Sequence, residues 1–174
     1  MNTPPPPRLK VIGVGNEWRG DDAVGLLVAR RLQADQLPQV DISECRGTVT
    51  AVREAWNDAA GVIVVDAVVS GGHPGVIYRF NVHGGGVPVE LSRSPSSHGW
   101  GVAEALALGK VFQELPPFLV IYGIEGQNFG PGQEVSQEVE AAIPEAVRRI
   151  RREIQMWLGR EPPRGHSPKI GEQS

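Results

Sequence analysis

Val62-Ile63-Val64-Val65-Asp66 is an unbroken β-branched run closed by an acid. Four such residues with no polar interruption suit a strand covered on both faces, which is the place of a central strand in a parallel sheet. Working outward, Lys10-Val11-Ile12-Gly13-Val14 reads as a second buried strand over about residues 9–15. Val24, Leu27, Val28, Ala29 and Leu32 then fall on helical spacing, predicting a helix over about 22–35. Val40 to Glu44 reads as a short strand, and Val49 to Asn57 as a helix with Val52 and Trp56 on one face. Downstream of Asp66, Val76 to Val82 alternates as a half-exposed strand, and His83 to Ser97 is a Gly/Pro/Ser-rich loop long enough to be functional. Ser96 and Ser97 are placed to cap a helix running through Val102, Ala105, Leu106 and Leu108 toward Phe112. Phe118 to Tyr122 is another buried strand, ending near Glu125. The last helix spans about 135–158, with Val139, Ile143, Val147, Ile150, Ile154 and Trp157 inward and Pro144 as a kink or restart.

Strands alternating with helices predict an α/β fold: a single-domain three-layer α/β/α sandwich around a mostly parallel, twisted sheet. The domain is expected over residues 9–159, with 1–8 a Pro-rich flexible lead-in and 160–174 a polar tail expected to be disordered. A chain of 174 residues with 40% apolar content fits one core that buries roughly two thirds of the unfolded surface. The net charge of −3 and 6% aromatic content give no field for nucleic acid or anionic membrane. Neither the start, Met1-Asn2-Thr3 before Pro4 to Pro7, nor any later run has the apolar length of a signal peptide or a membrane span. One cysteine, Cys45, excludes an internal disulfide and fits a reducing compartment, so the expected location is cytoplasmic.

In such folds ligands collect beyond the carboxyl ends of the strands. The turn there after the first strand, Gly15-Asn16-Glu17-Trp18-Arg19-Gly20, runs into Asp21-Asp22. This position commonly holds phosphate on free N–H groups and a helix dipole. Here carboxylates would repel phosphate, so the turn suits a cation or a polarised group. Gly13-Val14-Gly15 begins a dinucleotide fingerprint, but Trp18 stands where a third glycine is needed. His83-Gly84-Gly85-Gly86 has no accompanying nucleophile elbow. The basic run Arg148, Arg149, Arg151, Arg152 alternates with Glu145 and Glu153, as on a solvated helix face. Cys45, alone, reads as an inert thiol rather than a nucleophile.

Asp22 by itself reads as an exposed first-turn acid or as a ligand, Asp66 as a turn acid or a ligand, and His98 as a surface residue or a neutral imidazole ligand. Together, two carboxylates and an imidazole on one edge would make a three-ligand site with open positions. That set suits a divalent transition metal and a polarised carbonyl or water.

Gly13-Val14-Gly15-Asn16 followed by Arg19-Gly20-Asp21-Asp22-Ala23-Val24-Gly25 resembles the N-terminal signature of the nickel-iron hydrogenase maturation endopeptidases. Val64-Val65-Asp66-Ala67-Val68, the turn at 71–75, Ser97-His98-Gly99-Trp100-Gly101 and Tyr122-Gly123-Ile124-Glu125 resemble that family's later segments in the same order, over about residues 9–158. The resemblance implies a metal-dependent endopeptidase of aspartic or metallo type that removes a C-terminal extension from a hydrogenase large-subunit precursor. Nickel would be supplied by that substrate, with no organic cofactor, and Asp22, Asp66 and His98 would contact the metal and carry catalysis. A non-catalytic assembly factor binding the same metallated precursor is the alternative. Cys45-Arg46-Gly47-Thr48 departs from the Asp-Gly-Gly-Thr-like turn common in the family, which bears on substrate docking more than on metal contact.

Overall fold

The computed structural model describes residues 8–85 and 101–160. The chain runs β1 (Leu9–Val14), a 3-10 turn (Gly20–Ala23), α1 (Val24–Gln33), β2 (Val40–Cys45), α2 (Val49–Trp56) and β3 (Gly61–Val68). It continues through β4 (Ile77–Asn81), the single turn α3 (Val82–Gly85), α4 (Val102–Val111), β5 (Phe118–Glu125) and α5 (Gln137–Leu158). The five strands form one sheet in the order β2-β1-β3-β5-β4. All neighbours are parallel except β4, which closes one edge antiparallel to β5.

Side-chain alternation sorts the strands into two cores. Val11, Ile63, Val65, Val120 and Tyr122 pack with Val24, Val28 and Leu32 of α1 and with Val139, Ile143 and Ile150 of α5. Ile12, Val62, Val64, Leu119 and Ile121 pack with Val52 and Trp56 of α2 and Val102 and Leu106 of α4. Two helices thus cover each face, giving the expected three layers. α1 lies very close to the sheet because Gly25 has no side chain: a Cβ there would meet the carbonyl oxygens of Val14 at 2.3 Å and Val65 at 2.4 Å.

Three local expectations change. β3 does not end at Asp66 but continues to Val68, because β5 is as long and pairs it in register, Asp66 opposite Gly123 and Val68 opposite Glu125. The α-helical hydrogen bonding of α1 begins at Val24 after the 3-10 turn that contains both acids. α5 runs unbroken through Pro144, with no restart. The missing N–H and ring clash cost about 3 kcal/mol, and the buried row Val139, Ile143, Val147, Ile150, Ile154 offsets that cost. Trp157 faces inward as expected, half-buried against the same core and lying over Gly61.

No helix among the described residues is long and apolar enough to cross a membrane. Residues 86–97 of the proposed loop, Ser96, Ser97, His98 and the flanks 1–7 and 161–174 lie outside the described residues.

Candidate active site

The 3-10 turn after β1 gives its two acids opposite tasks. Gly20 takes φ 57° there, a conformation glycine adopts without steric cost. It also lies so close to the Asn128 carbonyl that a Cβ would meet the oxygen at 2.3 Å. Held this way, the Asp21 N–H donates to Asn128 O at 2.7 Å. The Asp21 carboxylate, fully buried, accepts from the backbone N–H groups of Gln127 (2.8 Å), Asn128 (2.9 Å) and Ser136 (2.6 Å), and from Ser136 Oγ at 3.0 Å. Asp21 therefore ties the β1 turn to the loop after β5 and to the start of α5. Ser136, at the N-cap of α5, spends its hydroxyl on this carboxylate and makes no side-chain cap bond of its own. Glu138 and Glu140 in the first turn supply negative charge to the helix dipole instead.

Asp22 is not the exposed acid that its position in a first turn allows: it is 4% exposed. Its main chain is fixed by Asn16 N–H donating to its carbonyl at 3.2 Å and by its own N–H donating to Arg19 O at 3.2 Å. Burial raises its carboxyl pKa; the Arg19 charge and the Asn16 backbone N–H pull the other way without cancelling it.

Asp66 points from β3 toward the side of the sheet covered by α2 and α4, the alternation it shares with Val64. It is 5% exposed, and its Oδ1 accepts the Ala67 N–H at 2.8 Å. Burial pushes its pKa well above the usual carboxylate range, and the Asp22 charge pushes it further; the Ala67 bond opposes both. Asp22 and Asp66 are thus brought together from distant parts of the chain. Two ionised carboxylates there oppose each other, so the pair favours a proton or a cation on one of them.

Cys45, at the end of β2, belongs to the same neighbourhood. Its pKa is raised to about 12, by burial first and then by the Asp66 charge. A thiol so protonated is a poor nucleophile, in line with the inert reading. Gly15 N–H donates to the Cys45 carbonyl at 3.1 Å, joining the β1 turn to the Cys45–Thr48 turn. Thr48 ends that turn and caps α2 by accepting from Ala51 N–H at 3.3 Å.

His98 lies outside the described residues. Gly101, the first described residue after it, approaches the same turn: a Cβ on Gly101 would meet the Gly47 carbonyl oxygen at 2.8 Å. Among the described residues, no group of three or more His, Cys, Asp or Glu side chains could hold a metal.

Two structural carboxylates were not separated from functional ones by sequence reasoning. Asp21 is the first. Glu125, 1% exposed at the end of β5, is the second: it accepts from Ser70 N–H (2.8 Å), Ser70 Oγ (2.6 Å) and Gly71 N–H (3.1 Å). It pins the loop after β3, with Tyr78 and Ser70 hydroxyls 3.0 Å apart beside it. A run of Ser and Gly after a buried strand is the only signal for that clamp, and it does not reveal the partner.

A doubly wound sheet carrying a buried acid pair at its carboxyl edge defines an α/β protein with a candidate site at the first strand-to-helix turn. The chain belongs to the hydrogenase maturation protease family: residues 31–153 match the HycI profile of that description. Among curated proteins it is 28% identical over 147 residues to the hydrogenase 2 maturation protease of Escherichia coli strain K12, covering 82% of this chain and 88% of that protein. Among solved structures, an endopeptidase from Escherichia coli superposes with a TM-score of 0.75 at 25% identity, covering 86% of this chain and 93% of that one. A hydrogenase 2 maturation peptidase from Thaumarchaeota archaeon SCGC_AB-539-E09 is 30% identical with a TM-score of 0.60, over 84% of this chain and 97% of that one. The hydrogenase maturating endopeptidase HybD from E. coli, 24% identical with a TM-score of 0.73, has the same fold.

Proposed function

We propose that this protein is an endopeptidase that removes the C-terminal extension of a nickel-iron hydrogenase large-subunit precursor after nickel insertion. Asp22, Asp66 and His98 recognise nickel carried by that precursor. The observation that carries this reading is the acid pair: two carboxylates, 4% and 5% exposed, with the charge of one raising the pKa of the other. A buried like-charge pair is costly unless something positive joins it. Substrate-borne nickel would supply that charge, which makes the site complementary to the metallated precursor rather than to the empty one. Gly101, three residues after His98 in sequence, lies against Gly47 at the same edge, in keeping with this reading.

The reaction is amide hydrolysis. The oxygen of water bonds to the scissile carbonyl carbon while a site carboxylate takes its proton. The C–N bond then breaks and the departing amine nitrogen receives the proton. Polarisation of the carbonyl by metal and proton transfer by a carboxylate are the two contributions this donor set offers. The precursor is the expected protein partner; no nucleic acid, membrane or organic cofactor enters the reading, and the expected location is cytoplasmic.

The test is intact-mass analysis of nickel-loaded and nickel-free precursor after incubation with this protein, with Asp22→Ala and with His98→Ala. Loss of a C-terminal peptide from the nickel-loaded sample alone, and with the unaltered protein alone, is the expected result. Binding without mass loss would move the reading to a non-catalytic assembly factor, and cleavage by folded His98→Ala would remove that residue from the mechanism.

A further inference from the structure

A cleft of about 270 Å³ opens at the carboxyl end of β2, and its lining includes Gly15, Asn16, Trp18, Arg30, Cys45 and Arg46. It borders the acid pair. Asn16 N–H donates to the Asp22 carbonyl at 3.2 Å, Gly15 N–H donates to the Cys45 carbonyl at 3.1 Å, and the Cys45 thiol feels the Asp66 charge. A polypeptide lying across the acids from this side must pass through the cleft.

Its charges are already sorted. Arg30 binds Glu44 through Nε and Nη2, both at 2.9 Å, and reaches Glu17 through Nη2 at 3.2 Å. Glu17 and Glu44 therefore both have a cation. Arg46 is exposed and has no ion-pair or side-chain hydrogen-bond partner among the described residues. The lining as a whole sums to no net charge, so selection falls to local pairing, and the guanidinium left to pair is Arg46. Trp18, in the same lining, is 71% exposed and offers an aromatic face to a partner. Tryptophan and arginine are the residue types that dominate binding energy when a partner desolvates them. β2 is also an edge strand, and because the Cys45 carbonyl accepts from Gly15, alternation turns the main-chain groups of Glu44 to the open side. Such groups can pair with an extended peptide.

We infer that this cleft docks the precursor segment beside the scissile bond, in extended form, with an acidic side chain on Arg46 and an apolar one on the Trp18 indole. The inference rests on the endopeptidase reading for the identity of the occupant. It makes Trp18 and Arg46 specificity determinants: they select which precursor is accepted, and they take no part in the chemistry at the acids.

Two readouts keep the docking and the cleavage apart. The first is equilibrium binding of fluorescently labelled, nickel-loaded precursor by anisotropy; the second is initial-rate processing of the same precursor by intact mass. Arg46→Glu and Trp18→Ala should each weaken binding about tenfold or more and raise KM to match, while the loss falls on KM rather than on kcat. Arg46→Lys should retain most of the binding. Reversing one acidic residue near the precursor's cleavage site to Lys should weaken binding to the unaltered protein about tenfold, and Arg46→Glu should restore it. Unchanged binding and KM in both folded variants, with cleavage intact, would overturn the docking while leaving the protease reading in place. A loss confined to kcat would overturn it as well. Weakened binding in the variants of a protein that binds but never cuts would uphold the docking and defeat the protease reading. Thermal melts matching that of the unaltered protein confirm that each variant is folded.

Discussion

Replacing Asp21 by Asn changes one atom of a side chain whose neighbours are all donors, and the structure predicts a large loss of stability from it. Oδ1 accepts from Ser136 N–H, while Oδ2 accepts from Gln127 N–H, Asn128 N–H and the Ser136 hydroxyl. An amide keeps one oxygen. If that oxygen takes the Oδ2 place, the new NH2 confronts the Ser136 N–H; if it takes the Oδ1 place, the NH2 confronts two backbone N–H groups. The first orientation is the cheaper, and it still loses one bond to a charged acceptor and weakens the remaining three. A hydrogen bond to a charged group contributes about 1.5–3 kcal/mol, and a buried donor left unpaired costs about 1–3 kcal/mol. Asp21→Asn should therefore cost about 2–4 kcal/mol, and Asp21→Ala, which strands all four donors, more. For a chain of this size, roughly 2–4 °C of Tm is lost per kcal/mol, so the Asn variant should melt about 5–15 °C lower. Urea unfolding followed by circular dichroism measures the free energy, and amide exchange should show lost protection at Gln127, Asn128 and Ser136. An Asn variant within about 0.5 kcal/mol of the unaltered protein, the range of an ordinary surface change, would refute the role assigned to Asp21.

The adjacent acid should behave in the opposite way: Asp22→Asn removes the charge that raises Asp66, so at pH 7 stability should hold or rise by up to about 1 kcal/mol while precursor processing, read by mass, disappears. Glu153 accepts from Arg79 at 2.7 and 2.8 Å and from the Tyr122 hydroxyl at 2.9 Å, and these bonds, Arg79 first, lower its pKa against the opposing effect of burial. Its contribution is complete above the ordinary value of 4.5 and is lost as pH falls through the lower folded value, so Glu153→Gln should flatten the acid limb of a stability-versus-pH curve. That variant should also cost about 1–3 kcal/mol at pH 7, at the low end for a broken pair because Arg79 can turn to water. Gly25→Ala, with no room beside the Val14 and Val65 carbonyls, should cost roughly 3 kcal/mol or more through overpacking, seen as a lowered urea midpoint. With its pKa near 12, Cys45 should react with iodoacetamide at pH 8 roughly a thousandfold more slowly than an ordinary thiol, as followed by mass; alkylation at an ordinary rate would contradict its burial.

How much of this could be read from the chain follows from the range of the interactions. The run Val62 to Val65 and the helical spacing from Val24 to Leu32 are local patterns, and local patterns fixed the layers and the carboxyl edge. The end of β3 was misjudged because an acid resembles a stop signal, and only β5, whose partner residues are far downstream, extends the strand past Asp66 to Val68. Pro144 reads locally as a kink or restart, and the restart is absent because the burial that holds α5 together spans the helix. Asp21 and Asp22 are adjacent in a single turn, so neither periodicity nor composition distinguishes them. What separates them is distant: Gln127, Asn128 and Ser136 converge on the first acid, while the charge of the second acts on Asp66.

That division has a physical logic for a site that must receive a charge from outside. A turn carrying a buried, poorly compensated acid would relax by moving that acid into water unless something stronger held the backbone. Asp21 is that restraint: its carboxylate spends its negative charge on four donors, and the backbone it anchors leaves Asp22 no route to solvent. Stability released at Asp21 thus offsets strain kept at Asp22. The two effects should be separable by mutation: Asp22→Ala inactive and stable, Asp21→Asn less stable but still able to process precursor at temperatures where it remains folded. An Asp21→Asn protein that is fully folded yet inactive would show instead that the first acid acts in the chemistry, and would break the assignment of separate tasks.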